Sequence, residues 1–280
     1  MNGLVMEGGA MRGMFTAGVC DVLLENGISF DGAIGVSAGA TFGCNFKSKQ
    51  IGRAIRYNKK FSHNWRYCSF RSLILTGDLY GAEFCYDILP NRLDLFDYET
   101  YRSNPLKFYA VASDCKTGKP VYKELPTCDK TDLTWMRASA SMPLVSRVVK
   151  VDGYELLDGG MTDSIPLKAF EDMGYEKNLV ILTQPREFVK EASPSLKYMK
   201  FSLRKYPKLY EAMLHRHEVY NQEKAYVFEQ ERNAKCFVLC PPEPLGISRT
   251  EKNPNELQRV YDLGRLAAQE NLTKLMEFFK

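Results

Sequence analysis

The sequence predicts an α/β fold, a three-layer sandwich with a mainly parallel central sheet. Two observations support this prediction. In the N-terminal half, segments typical of strands alternate with segments typical of helices, which is the pattern of a parallel sheet with helical connections. The apolar runs "GLVM" and "NLVILTQ" are short and uninterrupted, as expected of buried strands.

The first predicted elements are the strand "GLVM" and the glycine-rich loop "EGGAMRG". A helix follows over "MFTAGVCDVLLENG", where Phe15, Val19, Leu23 and Leu24 have helical spacing and Gly27 is a suitable C-terminal cap. "FDGAIGVS" then predicts a second strand and "AGATFGCNFKS" a second helix. Two further strands, "LKFYAVAS" and "PVYKEL", are separated by the turn "DCKTGK".

The alternation continues with a strand or hairpin over "SRVVKVDGYELLDGG", a helix over "IPLKAFEDMGY" and the strand "NLVILTQ". The part 193–280 is mostly helical in pattern, with a late strand at "KCFVLCPP" and a final amphipathic helix. Because the chain has no internal repeat, low-complexity tract or flexible linker, we predict one domain over residues 1–280.

The composition narrows the function. The chain has 280 residues, 45% hydrophobic and 26% charged, so it can bury a sizeable core. A net charge of +4 is mild, and no nucleic-acid-binding motif occurs, so we expect no nucleic acid as partner. The start "MNGLVMEGG" has no signal-peptide pattern, and no apolar run is long enough to span a membrane. We therefore expect a cytoplasmic protein.

The eight cysteines are scattered, without a Cys-x-x-Cys pair or a histidine at metal-ligand spacing. We therefore expect reduced thiols, and neither a metal nor a cofactor.

A candidate nucleophile lies in "DGAIGVSAGA", where Gly35, Ser37 and Gly39 form a G-x-S-x-G motif. A predicted strand precedes the motif and a predicted helix follows it, which is the setting of a nucleophile elbow. The helix N-terminus also favours the negative charge that develops during attack. The alternative is an ordinary strand-to-helix turn in which small residues merely fit.

The glycine-rich loop contains Gly8, Gly9, Ala10, Arg12 and Gly13 between a strand and a helix. Acylation of a serine passes through an oxyanion, and converging backbone N–H groups stabilise it. The loop matches neither the phosphate-binding nor the dinucleotide-binding glycine motif. An oxyanion loop and an ordinary turn both remain open.

The base that would activate Ser37 is the third question. His63, His215 and His217 lie in segments without a glycine turn to orient them. Asp158 ends an apolar segment and precedes two glycines, a place where a carboxylate can be held at the edge of a sheet. Partial burial would raise its pKa and make it a better base. An ordinary Asp-Gly turn is the alternative.

Taken together, these motifs resemble the patatin-like phospholipase family. The segment "LVMEGGAMRGMFTAGVCDVLLENGISFDGAIGVSAGA" is similar to that family's oxyanion loop, first helix and nucleophile elbow. "ASDCKTGKPV" is similar to its central strand and turn, and "RASASMPLV" with "YELLDGGMTDSIPL" to the stretch around its aspartate. The resemblance covers residues 1–185, and no motif was found in the rest.

The resemblance implies a lipid acyl hydrolase with a catalytic dyad and no metal. Ser37 would be the nucleophile, Asp158 the base, and Gly8, Gly9 and Ala10 the oxyanion hole, supported by Arg12 and Gly13. The expected substrate is a phospholipid, a lysophospholipid or another fatty-acyl ester. For Arg12 we expect a structural salt bridge rather than contact with a lipid phosphate.

One departure from the family pattern is that Ala10 occupies the place of a third glycine. If that residue has a positive φ, alanine is strained there. Two alternatives stay open: an esterase or thioesterase assisted by His215 or His217, and a regulatory or scaffold protein of low activity, for which Ala10 is the only support.

Contact with a membrane surface is a further hypothesis. In "SLKYMKFSLRKYPKLY" five basic residues occur without an acidic one, and an apolar stripe of Leu196, Met199, Leu203 and Tyr206 has helical spacing. The stripe would face lipid, or alternatively pack on the core. "FRSLILTGDLYG" is a second apolar candidate, as a lid over an acyl pocket.

Overall fold

The structure, a computed structural model, describes residues 1–280. Its eight strands belong to one sheet. They are β1 (Asn2–Met6), β2 (Gly32–Val36), β3 (Lys107–Asp114), β4 (Lys119–Glu124), β5 (Val149–Val151), β6 (Tyr154–Asp158), β7 (Lys177–Ile181) and β8 (Cys236–Leu239).

The strand order is β5-β6-β3-β2-β1-β7-β8, and β4 pairs with β3. Strand β1 runs parallel to β2 and β7, and parallel pairing continues from β2 to β3 and from β7 to β8. The pairs β3–β4, β3–β6 and β5–β6 are antiparallel. The prediction of a mainly parallel central sheet is thus confirmed, with an antiparallel end.

Ten α-helices accompany the sheet. They are α1 (Met14–Glu25), α2 (Ala38–Lys47), α3 (Arg53–Phe61), α4 (Phe70–Thr76), α5 (Tyr98–Ser103), α6 (Lys130–Ser139), α7 (Leu167–Asp172), α8 (Leu196–Ser202), α9 (Pro207–Arg232) and α10 (Pro254–Phe278). Phe84–Leu93 forms a π-helical segment, and Ala10–Gly13 and Gly159–Met161 are short 3₁₀ turns. None of the helices has the length and apolar character required to cross a bilayer.

The sheet is covered on both faces because successive strand residues point in opposite directions. In β1, Leu4 and Met6 join the larger apolar core, which also contains side chains of α1, α2 and α10. Val5 points the other way, into a second core formed with α7 and α9. The predicted three-layer arrangement follows from these two cores.

The first and last of these helices interlock. A Cβ atom on Gly18 of α1 would overlap the carbonyl oxygen of Tyr261 in α10, and one on Gly264 would overlap that of Phe15. The Tyr261 hydroxyl also donates to Asp21 at 2.7 Å. The prediction of a single domain is not tested by this packing and stays a prediction.

The apolar stripe of α8 does not face solvent. Met199 and Leu203 are buried, and Leu196 and Tyr206 pack against the same small core as Leu157 at the end of β6. The stripe is therefore part of the interior, and the hypothesis that it faces lipid is wrong. Burying these apolar side chains against the sheet removes their surface from water, and this stabilises the fold.

Candidate active site

Strand β3 brings the predicted nucleophile and base together. Val36, at the end of β2, lies opposite Val111 of β3, and Asp158, at the end of β6, lies opposite the next residue, Ala112. Because β4 occupies the other edge of β3 along Tyr109–Asp114, β2 and β6 must share one edge. Ser37 and Asp158 thus leave the sheet side by side, although 121 residues separate them in the sequence (158 − 37).

Ser37 lies at a sharp turn between β2 and α2. Its backbone has φ 54° and ψ −117°, a conformation that side chains other than glycine rarely adopt. A Cβ atom on Gly39 would overlap the carbonyl oxygen of Met6, so the glycine of the motif permits close approach to β1. The N–H of Ser37 donates to the Ser139 hydroxyl at 2.9 Å. Ser37 thus lies at a sharp turn from a strand into a helix, and its role as a nucleophile stays a prediction.

Asp158 is buried, with 2% of its surface exposed. Its Oδ1 accepts the N–H of Gly160 at 2.8 Å, whereas Oδ2 has no hydrogen-bond partner of ordinary geometry. Burial raises the pKa of Asp158, and hydrogen bonding by the Ser37 hydroxyl is the largest opposing effect. The hydroxyl thus acts on the carboxyl from a long or poorly aligned position, as is common in unliganded sites.

The glycine-rich loop passes next to Ser37. A Cβ atom on Gly8 would lie 3.1 Å from the Cβ atom of Ser37. The N–H groups of Gly8 and Gly9 donate to no acceptor of the protein. Ala10 has φ 50°, so the strain expected for an alanine at this place is present. Two N–H donors without a partner beside the serine are what an oxyanion would require.

Glu7 anchors this loop from below, a role that the sequence did not indicate. It is 2% exposed, and its carboxylate accepts the Thr183 N–H at 2.6 Å and the Tyr220 hydroxyl at 2.8 Å. These bonds tie the end of β1 to β7 and to α9. A buried carboxylate with several donors is held in one orientation, and the loop that follows it is held too.

Arg12 does not form the expected salt bridge. The ion pairs of the protein involve other residues, and Nε of Arg12 is buried without a hydrogen-bond partner. Burial lowers its pKa, with the charge of Glu7 as the strongest opposing effect. Glu7 accepts instead from Thr183 and Tyr220. Gly13, next in the loop, packs on Ala38 and Phe42.

None of the three histidines donates to or accepts from Ser37. His215 pairs with Glu218 at 3.0 Å on the surface of α9, with 60% of its side chain exposed. His217 lies 3.8 Å from the same glutamate. His63 is exposed in the segment after α3. The serine and the aspartate are brought together, and the histidines are not brought to them.

A cavity of about 390 Å³ opens next to Ser37 and has mostly apolar walls. This volume is typical of sites for small ligands. Leu79 and Tyr80, from the predicted lid segment, line it, whereas Ile74 of α4 is 83% exposed. Side chains from α2, α3, α6 and the π-helical segment complete the walls; among them are Phe42, Tyr57, Leu89 and Met136. No group of three or more His, Cys, Asp or Glu side chains in the protein is arranged to hold a metal ion.

A serine at a sharp strand-to-helix turn, next to an apolar cavity, is the arrangement found in serine hydrolases of α/β fold. A model described as patatin-like phospholipase matches residues 4–171, more than half of the chain, and the chain belongs to that family. A second model, a domain of unknown function, matches residues 206–280.

Curated relatives agree with this assignment at low identity. The uncharacterized protein YjjU of Escherichia coli is 28% identical over 270 residues, which cover 94% of this chain and 74% of that protein. Lysophospholipase nte1 of Aspergillus oryzae is 26% identical over 179 residues, covering 61% of this chain and 11% of that protein. An uncharacterized NTE family protein, Mb1092c of Mycobacterium bovis, is 27% identical over 164 residues, covering 59% and 44%.

Among solved structures, VipD from Legionella pneumophila aligns with 98% of this chain and 67% of its own, at 12% identity and a TM-score of 0.47.

Proposed function

We propose that the protein is a lipid acyl hydrolase, of phospholipase A, lysophospholipase or esterase type, which cleaves fatty-acyl esters with Ser37 as nucleophile and Asp158 as base. One observation carries the proposal. The strand register brings Ser37 and Asp158 to the same edge of β3, and the buried Asp158 carboxyl has one oxygen without a hydrogen-bond partner. A raised pKa and an adjacent hydroxyl are the properties required of a general base.

Acylation would proceed in two proton transfers. Asp158 takes the hydroxyl proton of Ser37 while Oγ attacks the carbonyl carbon of the ester. The carbonyl π electrons move to oxygen, and the free N–H groups of Gly8 and Gly9, with Ala10 completing the loop, stabilise that oxyanion. When the carbonyl re-forms, the bond to the alcohol breaks and the alcohol leaves with the proton from Asp158. The fatty acid then remains as an ester of Ser37.

Deacylation would reverse the roles. A water molecule gives a proton to Asp158 and attacks the acyl carbon. Collapse of the second oxyanion breaks the bond to Oγ of Ser37, which regains the proton, and the fatty acid is released. The apolar cavity beside Ser37 suits the acyl chain, since burial of each CH₂ group contributes about 0.8 kcal/mol.

Two alternatives make different predictions. The test compares hydrolysis of p-nitrophenyl esters and of a lysophospholipid by wild type, Ser37→Ala, Asp158→Asn and the double variant His215→Ala/His217→Ala. We expect Ser37→Ala and Asp158→Asn each to lose at least about 10²-fold in kcat, with the double histidine variant close to wild type. Activity that survives Asp158→Asn but not the histidine changes would refute the dyad. If wild type hydrolyses no ester and a fluorophosphonate does not label Ser37, the regulatory or scaffold alternative is favoured.

Contact with a membrane surface is part of the proposal, although through other side chains than the sequence indicated. On α8, Tyr198 and Phe201 are exposed beside Lys197 and Lys200, and Met199 of the same helix lines the cavity. An exposed aromatic pair among basic residues suits an anionic lipid surface. Sedimentation with phosphatidylglycerol vesicles tests this: Phe201→Ser should bind less than wild type, and equal binding would refute it. The cytoplasmic location expected from the sequence stays a prediction.

A further inference from the structure

Four positively charged side chains lie near the proposed catalytic pair or the glycine-rich loop, and none of them forms a salt bridge. They are Arg12, Lys190, Arg216 and Arg249. Arg216, on α9, donates from Nε to the carbonyl oxygen of Gly160, two residues after Asp158. Arg249 precedes α10 and lines the same cavity as Ser37. Three of the four cations thus come from beyond residue 185, where the sequence showed no motif.

Lys190 lies beside Tyr220, the residue of α9 that donates to Glu7 below the glycine-rich loop. Its Nζ is 3.9 Å from the centroid of the Tyr220 ring, and the Tyr220 hydroxyl donates to Glu7. Burial lowers the pKa of Lys190 to about 7, and the positive charges of Arg216, Arg12 and Arg249 act in the same direction. Because Tyr220 follows Arg216 by one turn of α9, Lys190 and Arg216 lie on the same side of that helix.

The carboxylates in this region do not neutralise these cations directly. Glu7 accepts from Thr183 and Tyr220, and Glu223 accepts the N–H groups of Ser164 and Ile165. Asp158 accepts from Gly160 and from no cation. Arg12, Lys190 and Arg216 are partly buried, whereas Arg249 is exposed. Because partly buried cations without a carboxylate partner cost free energy, an anion that binds beside these three is favoured.

The positions of the cations relative to the cavity indicate which part of a lipid substrate they would contact. Of the four, Arg249 lines the apolar cavity, whereas Arg12, Lys190 and Arg216 lie outside it, beside Asp158 and the glycine-rich loop. A lipid whose acyl chain fills the cavity and whose ester lies at Ser37 would therefore direct its head group towards the cations.

We propose that Lys190, Arg216 and Arg249 form a binding site for a phosphate group next to Ser37, so that the preferred substrate is a phosphate-bearing lipid ester rather than a neutral glyceride. This inference rests on the proposed function for the position of the ester. It also gives residues of the second matched region, 206–280, a part in substrate selection.

The first experiment measures selectivity. Hydrolysis of a lysophosphatidate and of the monoacylglycerol with the same acyl chain is compared for wild type, Arg216→Gln, Arg249→Gln and Lys190→Gln. The ratio of the two kcat/KM values should fall about tenfold in each variant, the effect of losing one charged contact. Arg232→Gln removes an exposed positive charge from the same helix, α9, and should leave the ratio unchanged. A general defect in catalysis lowers both rates and not their ratio.

The second experiment measures binding without turnover, in the Ser37→Ala protein. An ether-linked lysophosphatidate should bind more tightly than its phosphate-free ether analogue, and Arg249→Gln should remove about tenfold of that difference. Inorganic phosphate is titrated as a separate arm. If it competes as well as the ether lipid does, the site recognises free phosphate and the assignment to a lipid head group is overturned.

The outcomes separate the two proposals. Wild type that hydrolyses both esters with a ratio unaffected by the three substitutions retains the hydrolase and refutes the phosphate site. Wild type that hydrolyses neither ester, while the Ser37→Ala protein binds the ether lipid through Arg249, refutes the hydrolase and retains the site.

Discussion

The hydroxyl of Ser139 accepts the backbone N–H of Ser37 at 2.9 Å, so the last residue of α6 fixes the turn that carries the proposed nucleophile. Ser139 is completely buried, and the φ of Ser37 is 54°. A strained backbone persists only where its surroundings hold it, and this bond is one such restraint.

Ser139→Ala should therefore affect catalysis as well as stability. The variant leaves the Ser37 N–H without a partner, which costs about 1–3 kcal/mol of unfolding free energy. We expect kcat to fall more than KM rises, because the position of Oγ changes and the cavity does not. Ser141→Ala is a matched control, since that hydroxyl donates only to the carbonyl of Arg137. Equal kcat in both variants would show that Ser139 has no positioning role.

Ala10→Gly should relieve backbone strain. Ala10 has φ 50°, a region that costs an alanine about 1–2 kcal/mol and a glycine nothing. After the entropy that glycine loses on folding, we expect a rise in Tm of up to about 2–4 °C by calorimetry. Ala10→Val, with a branched side chain at the same φ, should lower Tm. A Tm lower in Ala10→Gly than in wild type would contradict this account of the loop, and a rate more than about tenfold higher would support the low-activity alternative.

The pH dependence of hydrolysis should follow Asp158. The proposed base acts when deprotonated, and burial raises its pKa above the ordinary value of 3.8. Activity should therefore be lost as the pH falls through this raised pKa, so the acid limb of kcat/KM lies above about pH 4. A profile that stays flat down to that pH, with folding intact by circular dichroism, would argue against Asp158 as the base.

The charge that Asp158 needs as a base should lower the stability of the folded protein. Because the pKa of Asp158 is higher in the folded protein than in the unfolded one, ionisation at neutral pH destabilises the fold. Asp158→Asn removes that charge and can keep the bond to the Gly160 N–H. We expect a higher Tm for this variant than for wild type at neutral pH, and a difference that shrinks below about pH 4. A lower Tm at neutral pH would mean that the carboxylate is stabilised by its surroundings.

Lys190 makes phosphate selectivity depend on pH. Its pKa of about 7 means that the charge is lost at mildly alkaline pH. The preference for lysophosphatidate over monoacylglycerol in kcat/KM should decline above about pH 7 and should persist to higher pH in Lys190→Arg. Identical profiles for Lys190→Arg and wild type would exclude Lys190 as the cause.

The sequence predicted most of the sheet because several of its strands are short, uninterrupted apolar runs. The pairing of Ser37 with Asp158 was implied by the resemblance to the patatin-like phospholipase family, and the strand pattern alone left other bases open. The sequence did not show that β3 aligns them, because the pairing of β3 with β2 and β6 joins residues that are far apart in the sequence. The amphipathic helix α3 was missed, as was α6, although Asp129 caps α6 by accepting the N–H groups of Thr131 and Asp132.

The salt bridge wrongly expected for Arg12 and the group of cations that the sequence did not reveal have the same explanation. A charged residue in a sequence does not reveal which charges lie near it in the fold. Glu7 is five residues from Arg12, but its oxygens bind Thr183 and Tyr220. Lys190, Arg216 and Arg249 come from three separate segments and meet only after α9 and the loop before α10 have packed on the sheet.

Gly18 of α1 and Gly264 of α10 each lie so close to the opposite helix that a Cβ atom there would overlap a backbone carbonyl. This close crossing limits how the architecture can be recombined. If α10 is replaced or truncated, the surface of α1 around Gly18 is exposed to solvent. Only a helix with a small residue at the crossing point can pack there again. Gene fusions that separate residues 4–171 from 206–280 should therefore yield insoluble product unless the last segment is supplied in trans as a complementing fragment.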